Sequence, residues 1–78
     1  MVDPSLGRLL RAHRSAAELT IEELAHRSGV SPRAVGDLER DRVRRPRRRT
    51  LTAILDALAL GAADRDLVRR VAGIGRPP

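Results

Sequence analysis

Apolar residues recur along this chain at the three- and four-residue spacing of helices, and nowhere alternate as they would in a strand. Leu6, Leu9, Leu10 and His13 share one helical face and predict a first helix to about Ala17, with Asp3 as its N-cap and Pro4 at its first position. Arg8, Arg11 and Arg14 fall toward the other face. Glu18-Leu19 is a short connection, after which Thr20-Ile21-Glu22-Glu23 has the form of a capping box. There the Thr20 hydroxyl can accept the amide of Glu23 while the Glu23 carboxylate accepts the amide of Thr20. The second helix carries Leu24 and Ala25 inward and is expected to end near Ser28, since Gly29 suits the left-handed position that closes a helix. Val30, apolar inside a turn, is expected to plug the core.

Ser31 and Pro32 open a third helix, as N-cap and first residue. Val35 and Leu38 face inward, Arg33, Gly36, Asp37 and Arg40 face out, and the helix should end near Arg40. A fourth helix, from about residue 47 to 59, carries the stripe Leu51, Ile54, Leu55 and Leu58 and breaks at Leu60-Gly61. A fifth, from about 62 to 72, is expected to bury Leu67, Val68 and Val71. Residues 73–78 hold glycines and prolines with little to bury, which predicts a frayed tail or linker after a domain spanning 1–72. The expected fold class is all-α: a compact five-helix bundle with Leu9, Leu10, Leu24, Val35, Leu38, Ile54, Leu55 and Leu58 in its core.

Composition narrows what such a bundle can do. Seventy-eight residues allow one domain and one small core, too little for an enzyme with a deep pocket of its own. No paired carboxylates, nucleophile–base set or metal cluster is visible, so neither enzyme activity nor a cofactor is expected. There is no Cys for a disulfide or a thiolate metal site, and His13 and His26 lie thirteen residues apart, as ordinary surface or half-buried side chains. Aromatic residues are absent, which removes stacking platforms for single-stranded nucleic acid. No apolar run approaches a membrane span and no signal sequence opens the chain, so a cytoplasmic protein is expected. All sixteen basic residues are Arg, and alanines are many, a composition that suits a GC-rich bacterial genome.

The net charge of +6 has one address. The segment Arg42-Val43-Arg44-Arg45-Pro46-Arg47-Arg48-Arg49 holds six arginines and no acid, while the rest of the chain balances ten Arg against ten Asp and Glu. A cationic patch so confined implies a polyanionic partner. Two helices joined by the short turn Ser28-Gly29-Val30-Ser31, the second followed by this segment, fit a helix-turn-helix. Its second helix enters the major groove of duplex DNA while the first lies across its back.

Thr20-Ile21-Glu22-Glu23-Leu24-Ala25-His26-Arg27-Ser28-Gly29-Val30-Ser31-Pro32-Arg33-Ala34-Val35-Gly36-Asp37-Leu38-Glu39-Arg40 resembles the signature of the phage-repressor or XRE (Cro-type) family of helix-turn-helix domains. With the Arg-rich segment and the helices after it, the resemblance covers about residues 5 to 72. It implies a lambda-repressor-like fold of five helices that binds duplex DNA, commonly as a homodimer on two half-sites, in a transcriptional regulator. Two positions depart from the family. Ile21 stands where relatives carry a Gln that touches the DNA backbone, so that contact is lost or becomes apolar. Asp41 stands where a Gly usually ends the recognition helix, and its carboxylate can pair with a neighbouring Arg or weaken phosphate contact.

The candidate DNA-binding residues are Thr20, Ser31, Pro32, Arg33, Gly36, Asp37, Arg40, Arg42, Arg44, Arg45, Arg47 and Arg48. Arg33, in the first turn of the recognition helix (about residues 32–40), can bond O6 and N7 of a guanine with both arms, or hold a phosphate instead. Asp37 can accept from a cytosine amine or pair with Arg33 or Arg40. Gly36 gives up helix propensity either to approach a base edge or to pack closely against the second helix. Ser31 is read first as a cap and second as a phosphate donor. Arg40 and the loop arginines are expected to grip the phosphate backbone, and a loop Arg can also enter a narrow minor groove. Two other readings compete. One is a protein-interaction module of antitoxin or anti-regulator type, using an apolar face of the fifth helix (Leu67, Val68, Val71, Ile74). The other is binding to anionic lipid, which is weak because Val43 alone would anchor the Arg segment.

Overall fold

A computed structural model describes residues 5–73. The expected roles of Asp3 and Pro4, and of the tail and Ile74 beyond Gly73, fall outside that range. The described residues form five α-helices and no strand: α1 (Leu6–Ala16), α2 (Ile21–Ser28), α3 (Pro32–Glu39), α4 (Arg48–Ala57) and α5 (Ala62–Val71). The fold is an all-α bundle in which α3 packs on both α1 and α2, α4 packs on α2, and α5 packs on α1.

Local chemistry sets most of the boundaries. In the capping box, the Thr20 hydroxyl accepts the Glu23 amide at 3.0 Å, and the Thr20 amide donates to the Glu23 carboxylate, also at 3.0 Å. Gly29 closes α2 in the left-handed conformation, with φ 74. The Ser31 hydroxyl accepts the Ala34 amide at 3.1 Å, ahead of Pro32 at the first position of α3. The start of α1 differs from the expectation. Ser5 is extended and caps the helix, its hydroxyl accepting the Arg8 amide at 3.1 Å. A further acceptor comes from across the fold: the Asp41 carboxylate takes the Gly7 amide at 2.9 Å. The first turn of α1 is thus closed by a residue 34 positions away, beyond any local pattern.

The core is wholly aliphatic: Leu6, Leu10, Leu19, Leu24, Ala25, Val35, Leu38, Leu51, Ile54, Leu55, Leu58, Val68 and Ala72 are buried. Leu9, Ile21 and Val30 are half-buried against it. The helix α5 corrects one expectation. Val68 and Ala72, four apart, form its inward stripe, whereas Leu67 is 40% and Val71 36% exposed. A surface helix buries only the narrow line that meets its neighbours, and Leu67 and Val71 flank that line.

Arg14 corrects another. It turns inward rather than to solvent, its Nε and Nη2 donating to the Glu39 carboxylate at 2.6 and 2.9 Å and its Nη1 to the Leu19 carbonyl at 2.7 Å. The two side chains keep only 14% and 5% of their exposure. The bond to Glu39 is the main cause that holds the Arg14 pKa above its ordinary value, against the opposing effect of burial. This planar two-armed pair fixes the end of α1, the end of α3 and the connection between α1 and α2 in one arrangement. Arg65 similarly satisfies the end of α4, donating to the Leu60 carbonyl at 2.8 Å and to Asp56 at 2.7 Å.

Candidate nucleic-acid interface

Because α3 lies against α1 and α2 through Val35 and Leu38, one stripe of it is left to solvent. Pro32, Arg33 and Arg40 are exposed along that stripe, and Ser31 is exposed at its start. The hydroxyls of Thr20 and Ser31 are both engaged as caps, each at the amino end of a helix.

Gly36 is not open on this surface, as its place in the sequence suggested. It is buried, and a methyl group built on it would lie 2.6 Å from Nη1 and 3.1 Å from Nη2 of Arg40. Its neighbour there is the Arg40 guanidinium folded back over the helix, not α2. Asp37 also finds a different partner from those expected. Its carboxylate faces Arg42 at 3.8 Å rather than Arg33 or Arg40.

The chain beyond α3 turns at Asp41, which takes the left-handed conformation (φ 57). The amides of Arg42 and Val43 then donate to the Asp37 carbonyl at 2.9 and 3.4 Å. These bonds fold the start of the Arg-rich loop onto the end of α3. Farther on, Pro46 is buried and anchors the loop, while Arg42, Arg44, Arg45 and Arg47 are exposed. Arg47 is the extended N-cap of α4 and makes no side-chain cap bond; Arg48 and Arg49 open the helix, with no acid in its first turn. The positive end of the α4 dipole therefore coincides with three arginines, a combination suited to anions. Between α3 and this loop runs a shallow groove of about 250 Å³ lined by Ala34, Asp37, Leu38, Val43, Pro46, Arg47 and Thr50.

The structure thus leaves Arg33 and Arg40 exposed on α3, brings Asp37 beside Arg42 and the groove that Arg47 lines, buries Gly36 beneath Arg40, and leaves Thr20 as a helix cap. Four contributors escaped the sequence. Gly7 lets α1 approach the end of α3: a methyl group there would come within 2.7 Å of the Leu38 carbonyl oxygen and closer still to that of Glu39. Asp41 acts as an acceptor for α1, and Val43 and Pro46 shape the groove. The hydrogen bonds of Asp41 with Ser5 and Gly7, aided by the nearby Arg44 and Arg8, hold its carboxyl below the ordinary 3.8. Ile21 packs against the core, so its side chain has become apolar filling in place of a polar surface group.

A family model described as a helix-turn-helix domain matches residues 5–68. The chain belongs to this family. The matched span takes in α1 to α4 and most of α5, so the helix-turn-helix domain accounts for nearly all of the described bundle. Comparison with curated proteins returns no match. Among the described residues, no helix of the domain is long and apolar enough to cross a membrane, and no three His, Cys, Asp or Glu side chains gather as a metal would require.

Proposed function

We propose that this helix-turn-helix domain binds double-stranded DNA sequence-specifically, as part of a transcriptional regulator of the phage-repressor or XRE type. In this reading α3 enters the major groove and the loop from Arg42 to Arg49 grips the phosphate backbone. The observation that carries it is the seating of the loop. The two amide bonds to the Asp37 carbonyl seat the start of the loop, into which the sequence concentrates its cationic excess, on the end of α3. A helix in the groove and arginines at the height of the backbone are the two parts that base reading and phosphate gripping require. Two copies on adjacent half-sites complete the proposal, with residues 1–72 as the DNA-binding unit and 73–78 as a link to an effector or partner. The Arg-only basic composition and the many alanines support a bacterial, cytoplasmic setting, with the protein on the nucleoid when bound.

A second reading has its own observation: Leu67 and Val71 are exposed four residues apart on α5 and would suit a protein partner. Selecting duplexes from a random pool, then titrating the winner at several salt concentrations, separates the two. DNA binding through the loop gives a consensus and a log K that falls with log salt at a slope near −4 to −5, about 0.9 per phosphate neutralised. Arg33→Ala then relaxes base preference, whereas Arg44→Ala weakens all duplexes alike and reduces the slope by about one. A chain that enriches no duplex, or binds with no salt dependence, sinks the DNA reading and leaves the α5 surface as the site to pursue.

A further inference from the structure

Arg40 stands in the sequence among three acids, Asp37, Glu39 and Asp41, and would be expected to pair with one of them. Each of the three is engaged elsewhere. The Asp37 carboxylate faces Arg42, Glu39 is held by both arms of Arg14, and Asp41 accepts the Gly7 amide. Among the described residues no carboxylate forms an ion pair with Arg40. Its guanidinium does not extend into solvent past the end of α3 either. It lies folded along the helix over Gly36, with Nη1, Nη2 and Cζ at 2.6, 3.1 and 3.3 Å from where a Cβ would stand. Helical side chains lean toward the amino end and cover the turn before their own Cα, and a glycine four residues earlier leaves the slot open for a flat group.

From this geometry, and resting on the DNA-binding reading above, we infer that Arg40 reads a base rather than gripping a phosphate, and that Gly36 is the positioning residue that makes this possible. Arg40 lies seven residues after Arg33 on the same exposed stripe, roughly 10 Å along the helix axis, and the fold-back shortens that interval. Two guanidinium forks then lie along one groove-facing line. The fork of Arg40 is pre-set against backbone, with its N–H groups uncommitted to any acid, the condition for two parallel bonds to O6 and N7 of a guanine. Each half-site would contain two guanine contacts a few base pairs apart, one for each Arg. Asp37, the one carboxylate on the stripe, faces Arg42 at 3.8 Å and forms no ion pair with Arg40.

The test compares wild type, Arg40→Ala, Arg40→Lys, Gly36→Ala and the Gly36→Ala/Arg40→Ala double variant on the selected duplex and on its single-base substitutions, at several salt concentrations. Arg40→Ala should abolish preference at one guanine position, a loss of about 5- to 150-fold in discrimination, and leave the position read by Arg33 unchanged. Arg40→Lys keeps the charge and loses the fork, so it should retain the wild-type salt slope without restoring the preference. Gly36→Ala should impair the same base position, because its methyl displaces the guanidinium, and the double variant should be no worse than Arg40→Ala alone. Alanine is the better helix former, so Gly36→Ala should melt no lower than wild type, which separates displaced chemistry from lost fold. Equal loss by Arg40→Ala on cognate and substituted duplexes would assign Arg40 to phosphate and overturn the inference. So would rescue of the preference by Lys, or an intact preference in Gly36→Ala. A wild-type chain that binds no duplex fails earlier, at the DNA reading itself.

Discussion

At position 41 the backbone turns through the left-handed region and the side chain reaches the amino end of α1, so one residue both ends α3 and caps another helix. The bonds with Ser5 and Gly7, with the nearby cations, keep the Asp41 carboxyl below its ordinary value; backbone and side-chain bonds with Thr20 do the same for Glu23. Both groups bind protons less readily in the folded chain than in the unfolded one. Their contribution to stability is complete above the ordinary values of 3.8 and 4.5 and is lost as the pH falls through the lower folded-state values. Urea midpoints measured between about pH 5 and pH 2 should therefore fall with acidification. Asp41→Asn should fall less steeply: the amide keeps an acceptor oxygen and tolerates the left-handed turn but cannot titrate. An unchanged slope in that variant would mean that Asp41 does not titrate in the fold as described. Nothing near position 41 in the sequence announces this role, since Gly7 is far off in the chain. That an Asp stands at the end of α3 is visible in the sequence, but not where its carboxylate goes. The inward turn of Arg14 is illegible in the sequence for the same reason, its partner Glu39 being 25 residues away.

At the level of helices, what could be read was what neighbours in sequence decide. The capping box at Thr20, the left-handed Gly29 and the Ser31-Pro32 start are closed by groups within a few residues of each other, and each stands where the pattern put it. The α1 start and the outward turn of Leu67 and Val71 depend on which helix meets which, and periodicity alone does not specify that. Two helical glycines make the distinction measurable. A methyl on Gly7 meets the backbone carbonyls of Leu38 and Glu39, which cannot yield without moving α3, whereas a methyl on Gly36 meets only the movable end of Arg40. Gly7→Ala should cost about 1–3 kcal/mol of stability, as overpacking does, despite the better helix propensity of alanine. Chemical denaturation would show it. A neutral Gly7→Ala would mean that α1 and α3 can separate at little cost and that their close approach at Gly7 is not required by the fold.

For the molecule as a whole, charge and shape point the same way. The cationic excess lies on the loop beside the exposed stripe of α3, while α5, on the neighbouring α1, presents Leu67 and Val71. If two copies occupy one operator, footprinting should reveal two protected half-sites with centres about 10 to 10.5 base pairs apart, or a multiple of that. A single asymmetric footprint with one chain per duplex would count against the paired arrangement. The hydrophobic core that supports this surface contains Leu, Ile, Val and Ala and not one aromatic ring, and the chain has no Phe, Trp or Tyr anywhere. In the laboratory this makes the protein almost optically silent. It gives no intrinsic fluorescence, and it leaves the near-ultraviolet to the nucleic acid. Any ellipticity change there on mixing with a duplex therefore reports the stacking of the bases alone, so bending or kinking of the DNA can be followed without labels and without subtracting a protein signal.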